Sequence, residues 1–253
     1  MIYKKLLYIF LVLLSLRVGS EEKKPENHLA RFKAVIFDYF VIFDANSVVS
    51  ELEKVFPGKG SEFARIWRAK QFEYCFLLSV TNRHEDFLRL TEDALVYTAN
   101  FMKLKLSSEN KSRFLQTFLT LKPWPDAIQT LEKLKKSGLR IIVLSNFSGK
   151  MLKDNANHAG ISHYFEQLIS TEVDRSYKPD PIAYELGRRK LGLKKEEILF
   201  VAFGGWDVYG AKNFGYTTYW VNRFQLPVEE LGLLPDATSQ NLEGLSNFIL
   251  NQK

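Results

Sequence analysis

Five short runs rich in Val, Ile, Phe and Tyr punctuate the chain, at residues 33–37, 139–144, 167–170, 198–203 and 217–221. Each is strand-length and apolar at consecutive rather than alternate positions, the pattern of strands buried on both faces. Helix-length segments separate the later runs, so strand and helix alternate. That alternation predicts an α/β fold, a Rossmann-like parallel sheet covered by helices on both faces. Helix boundaries are legible too. Over residues 125–137, Pro125 suits the first turn, Ile128, Leu131 and Leu134 repeat on one face, Lys135 and Lys136 fall in the last turn, and Gly138 follows. Asp180-Pro181 opens a second helix that runs to about Leu191, with Gly192 as its stop.

The rhythm breaks once, after the first run. Residues 48–55, 61–78, 87–102 and 109–119 all read as helical. A helical cap over residues 46–121 is therefore expected to interrupt a core built from residues 31–45 and 122–253. Inserted there, it stands over the carboxyl ends of the strands, where open α/β sheets bind ligands.

Residues 1–20, MIYKKLLYIFLVLLSLRVGS, have a basic start, an apolar run from Leu6 to Leu14, and small or modest residues before an acidic turn. That is the layout of a signal peptide, with cleavage after Ser20 and a charged, disordered arm at residues 21–30. The run is shorter than the ~20 residues of a membrane-spanning helix. Export, periplasmic or secreted, with no stable membrane insertion after cleavage, is the expectation. Removing Lys4, Lys5 and Arg17 would bring the formal charge from +6 to +3. The remaining basic groups, such as Arg188–Lys190, interleave with acidic residues on helix faces, a solvated surface rather than a nucleic-acid stripe. Cys75 is the only cysteine, so no internal disulfide forms, and its apolar helical setting predicts a buried structural thiol.

Asp38 follows the apolar residues Ala34–Phe37 directly. A charge inside the sheet would be costly, so Asp38 belongs at the strand's open end, beneath the cap, where a carboxylate can act as a nucleophile or merely cap a turn. Later strand ends carry further polar groups: Ser145-Asn146 in "VLSNFSGK", Lys178 and Tyr184 in "SYKPDPIAYELG", and Asp207 in "LFVAFGGWDVYGAKNFG". Two carboxylates, an ammonium and a hydroxyl converge on one rim. A lysine near Asp38 would keep it ionised, and Ser145-Asn146 could hold an anionic oxygen.

Taken with "FDYFVIFDANSVV", "IWRAKQFEY" and "YWVNR", these segments resemble the haloacid dehalogenase superfamily, and within it the L-2-haloacid dehalogenases, in order and spacing from about Lys33 to Leu245. The resemblance implies a two-step hydrolysis. Asp38 displaces halide from C2 of an L-2-haloalkanoate with inversion, and water then cleaves the aspartyl ester to give an (R)-2-hydroxy acid. It implies that Arg68 receives the halide and substrate carboxylate from the cap, and that Ser145 and Asn146 hold the carboxylate. Lys178 and Tyr184 would orient Asp38, Asp207 would help activate water, and Phe40 and Trp206 would form apolar wall. Family members often pair through the cap, which makes a homodimer an expectation here.

The superfamily's phosphatases carry a second aspartate two residues past the nucleophile and an acidic pair that holds Mg²⁺; here Phe40 and Ala202 stand at two of those positions. Too few oxygen ligands remain for a hard cation, so metal-free chemistry is expected. The chain also departs from the dehalogenase pattern, with Ile42 for a threonine, Ala202 and Gly204 for a serine and an asparagine, and Ala69 for a glutamine. Two alternatives stay open beside a dehalogenase: a hydrolase of another small carboxylate or phosphate, the latter with Mg²⁺, and a catalytically weakened protein that binds a small anion through Arg68 and Lys178.

Overall fold

The computed structural model describes residues 32–250. The expected signal peptide and disordered arm lie outside these residues. Strand β1 (Ala34–Phe37) is followed at once by the single-turn helix α1 (Tyr39–Ile42) and the two-residue strand β2 (Phe43–Asp44), which pairs antiparallel with β3 (Lys122–Pro123). The main sheet is completed by β4 (Arg140–Ser145), β5 (Gln167–Ser170), β6 (Ile198–Ala202), β7 (Thr217–Val221) and β8 (Ala237–Ser239). Its order is β5-β4-β1-β6-β7-β8, and every pairing is parallel.

Side-chain alternation explains why β1 is apolar throughout. Val35 and Phe37 enter the core on one face, and Ala34 and Ile36 enter the core on the other. The chain leaves β1 for β4 and β5 on one side, then crosses back to β6 and β7 on the other. The carboxyl end of β1 is thus the point where the winding reverses, and a crevice opens at such a point. Asp38 is the next residue.

Between β2 and β3 run α2 (Val49–Val55), α3 (Gly60–Val80), α4 (Phe87–Phe101) and α5 (Ser108–Thr117). Local chemistry starts the last two. The Asp86 side chain accepts from Arg89 N, and the Ser107 hydroxyl accepts from Asn110 N, each taking up a donor that a helix start leaves unpaired. Phe87, Leu90, Ala94 and Leu95 then fall on one buried face of α4. The two ends of the insertion are tied together below it. β2 pairs with β3, Trp124 N donates to Ile42 O at 2.9 Å, and the buried Asn155 carboxamide accepts from Leu121 N at 2.6 Å while donating to Phe118 O at 2.7 Å.

The remaining helices cover the sheet: α6 (Ala127–Lys136), α7 (Gly149–His158), α8 (Pro181–Leu191), α9 (Gly205–Phe214) and α10 (Leu242–Leu250). Helix α8 begins and ends as its signals predict, with Asp180 accepting from Ile182 N and Gly192 left-handed at φ 66°. In α6 the buried face is Ala127, Thr130, Leu131 and Leu134, and Ile128 is exposed. The expected Ile128–Leu131–Leu134 stripe fails because Ile128 and Leu134 stand about 120° apart around a helix of 3.6 residues per turn. Three strands carried no readable run: β8 is Ala-Thr-Ser, and β2 and β3 have two residues each. Cys75 is buried, and burial pushes its thiol well above the ordinary range.

Candidate active site

Asp38 caps α1 through a bond from Phe40 N to Oδ2 at 3.2 Å, which leaves Oδ1 to a second partner. That partner is Lys178, whose Nζ lies 2.7 Å from Asp38 Oδ1 and 2.6 Å from Asp207 Oδ2. The three side chains are almost wholly buried, at 8%, 1% and 0% exposure for Asp38, Lys178 and Asp207. Burial alone would lower the Lys178 pKa, but the two carboxylates reverse that and raise it above the ordinary lysine value. At Asp207 burial prevails and pushes the carboxyl up to about 6, against the pull of Lys178 and with the Asp38 charge adding to the rise.

Lys178 is held from behind. Its backbone N donates to Asn146 Oδ1 at 2.7 Å, Asn146 Nδ2 donates to its carbonyl at 3.2 Å, and Thr171 Oγ1 donates to Asn146 Oδ1 at 3.3 Å. The Asn146 side chain thus fixes the lysine, with its oxygen taken and one of its two N–H groups engaged. Tyr184 likewise takes another place than expected, since its hydroxyl donates to Asp207 Oδ1 at 2.7 Å and not to Asp38. Gly210 makes that contact feasible: a Cβ there would meet the Tyr184 hydroxyl at 2.4 Å and Pro179 Cβ at 2.6 Å.

A cavity of about 20 Å³ adjoins Asp38, lined among others by Arg68, Ser145, Asn146, Lys178, Phe40 and Trp206. Asp207 and Tyr184 sit behind Lys178, outside this lining. Asp207 thus reaches the cavity through the lysine. Ser145 Oγ accepts from Phe147 N at 3.1 Å, which leaves its proton to point at a ligand.

Arg68 descends from α3 onto the Phe40 ring, with Cζ 3.8 Å from the ring centroid and 5.1 Å from that of Phe72. Its Nη1 is buried without a hydrogen-bond partner among the described residues. Burial pushes its pKa down to about 10, with Asp38 and Asp44 opposing, so the guanidinium stays charged at neutral pH. A buried donor that lacks a partner favours an anionic acceptor. Trp206 closes the wall against Phe72, ring centroids 5.0 Å apart.

Phe72, Phe87, Phe147 and Phe203 also line the cavity, and none of them was singled out from the sequence. Phe72 lies one helical turn beyond Arg68, and Phe147 follows Asn146 directly. Ile42 is buried and offers no donor. Among the described residues no group of three or more His, Cys, Asp or Glu could hold a metal ion. Asp38 and Asp207 each give an oxygen to the Lys178 ammonium, which stands between them where a shared cation would, so this donor set does not fit Mg²⁺.

The arrangement can do one kind of chemistry well. It presents a desolvated carboxylate, oriented by an ammonium, beneath an unpaired guanidinium in an aromatic wall. Comparison with known proteins agrees. The profile of the haloacid dehalogenase-like hydrolases matches residues 32–215. The chain is 40% identical over 205 residues to the (S)-2-haloacid dehalogenase of Pseudomonas sp. (strain YL), covering 81% of this chain and 88% of that one. It is 39% identical over 222 residues to haloacetate dehalogenase H-2 of Moraxella sp. (strain B), covering 87% and 99%. The fold matches L-2-haloacid dehalogenase from Xanthobacter autotrophicus with chloropropionic acid covalently bound, at a TM-score of 0.82 and 32% identity, covering 88% of this chain and 100% of that one.

Proposed function

Because the chain belongs to the haloacid dehalogenase-like hydrolases, we propose that it hydrolyses L-2-haloalkanoates to (R)-2-hydroxy acids by way of an ester on Asp38. The observation that carries this reading is the Asp38–Lys178–Asp207 line, which ends in the small cavity under Arg68. In the first step an Asp38 oxygen attacks C2 from the side opposite the halogen, the C–O bond forms, and the halide leaves with the bonding pair. Arg68 receives the developing negative charge in a setting from which water is largely excluded, where such an interaction is strong. Lys178 holds Asp38 in one orientation through its bond to Oδ1.

In the second step water attacks the carbonyl carbon of the ester, the tetrahedral oxyanion collapses, and the hydroxy acid departs. Lys178 stands beside that carbonyl to stabilise the oxyanion. Asp207, one ammonium away, takes up the proton by way of Lys178, which passes one of its own protons to Asp207 as it accepts one from water. The donor set supports a reaction without a metal, and the leader-like residues 1–20 support an exported protein.

The test is halide release from L-2-chloropropionate by the full chain in metal-free buffer. Release should be stoichiometric with hydroxy acid and unaffected by a chelator, whereas strict dependence on Mg²⁺ would overturn the reading. The pH profile carries a signature of its own. Below about 6 Asp207 is protonated, can no longer accept a proton through Lys178, and leaves the Lys178 charge bearing on Asp38 alone. The rate should fall about tenfold per pH unit there and level off above it. The contribution of Asp207 to stability runs the other way: a carboxyl raised above its unfolded value lends stability while protonated and loses it as pH rises through about 6.

A further inference from the structure

The room beside Asp38, about 20 Å³, holds roughly one water. On the far side of its wall lies a chamber of about 700 Å³. The two spaces share Arg68, Phe72, Phe203, Gly204 and Trp206 as lining, so the partition is made chiefly of side chains. A chamber of this size falls within the ~300–1,000 Å³ of sites that enclose a drug-sized ligand, far beyond the needs of a two- or three-carbon acid.

The chamber exists because residues along it are small. Ala69, Gly204 and Gly205 line it and contribute little bulk. At Gly204 the effect is specific: a Cβ would meet Trp206 Nε1 at 2.6 Å, so only a glycine lets the indole lie back over that backbone. Phe72, Phe203, Trp206, Phe224 and Leu226 supply apolar surface. Of the polar side chains that border it, Arg223 bonds both oxygens of Asp126 while its Nε is buried without a partner among the described residues, and Asn222 bonds the backbone of Leu226. The apolar side chains along the wall suit an apolar group.

We propose that the preferred substrate is a 2-halo acid with a long alkyl or aryl substituent on C2, its carboxylate at Arg68, its C2 toward Asp38 and its tail in this chamber. This rests on the dehalogenase reading above and names the substrate class within it.

Binding of the product acids separates the two claims. In calorimetric titrations of the full chain with (R)-lactate, (R)-2-hydroxyhexanoate and (R)-2-hydroxyoctanoate, affinity should rise about fourfold per added methylene, as burial of the tail requires. Correspondingly, kcat/KM for L-2-bromooctanoate should exceed that for L-2-bromopropionate. Ala69→Phe, which fills the chamber, should flatten the series. Normal halide release from L-2-bromopropionate with a flat or falling series would overturn the chamber assignment alone, as would a rise that survives Ala69→Phe. A rising series without halide release from any of these acids would keep the chamber as an apolar tail site and overturn the dehalogenase reading.

Discussion

Asp38→Asn should reduce halide release from L-2-chloropropionate by at least about 10⁴-fold, the scale of loss when a covalent nucleophile is removed. The replacement has nearly the same shape but keeps one oxygen for two donors, the Phe40 N–H and Lys178, and the amide nitrogen that takes the other place cannot displace halide. Thermal stability should fall modestly, because one buried donor loses its acceptor while Lys178 retains Asp207 as an ionic partner. Calorimetry and a halide electrode on the same preparation check both halves. A variant with intact folding and more than about a tenth of the parent rate would remove Asp38 from the mechanism.

Lys178→Met should be the most damaging change to stability at this site. Methionine fills similar volume but leaves Asp38 and Asp207 facing one another with no cation between them, both buried. Breaking a buried ion pair by deleting one partner costs roughly 3–5 kcal/mol. The pH dependence follows from the direction of the shift. The Lys178 pKa is raised, so the stability it contributes is fully present at neutral pH and fades only as pH rises through its folded value, above the ordinary lysine range. At the acid end Asp207, raised to about 6, takes a proton, so the variant no longer holds two facing buried charges and the two proteins should draw closer. Urea denaturation at pH 8 and at pH 4 should give a large difference at the first and a small one at the second. Equal midpoints at pH 8 would show that the lysine is not what neutralises the pair.

Much of this site is written in the sequence, because a carboxylate directly after a doubly buried strand has few places to go. Asp38 and Ser145 are legible that way, and Lys178 is legible from its place before a proline-opened helix. The finer roles are not. Asn146 engages a backbone 32 residues away, and Tyr184 engages Asp207 from 23 residues away, contacts that exist only after β5, β4, β1 and β6 have assembled into one sheet. The cavity phenylalanines were hidden for a different reason. Phe87, Phe147 and Phe203 carry the same residue type as the surrounding core, and nothing in hydrophobic periodicity separates a residue that packs from one that packs and faces a substrate. Small strands escaped as well, since Ala237–Ser239 is held by pairing to β7 and not by an apolar run.

An ester at Asp38 makes a definite demand on the fate of oxygen atoms. If water attacks the carbonyl of that ester, the hydroxyl oxygen of the first product comes from the aspartate, and the oxygen from water stays behind in the protein. A single turnover with enzyme in excess, run in ¹⁸O-labelled water and read by mass spectrometry of the peptide that contains Asp38, tests this. The account predicts one ¹⁸O in Asp38 and an unlabelled hydroxy acid; label in the hydroxy acid, with Asp38 unlabelled, would contradict it.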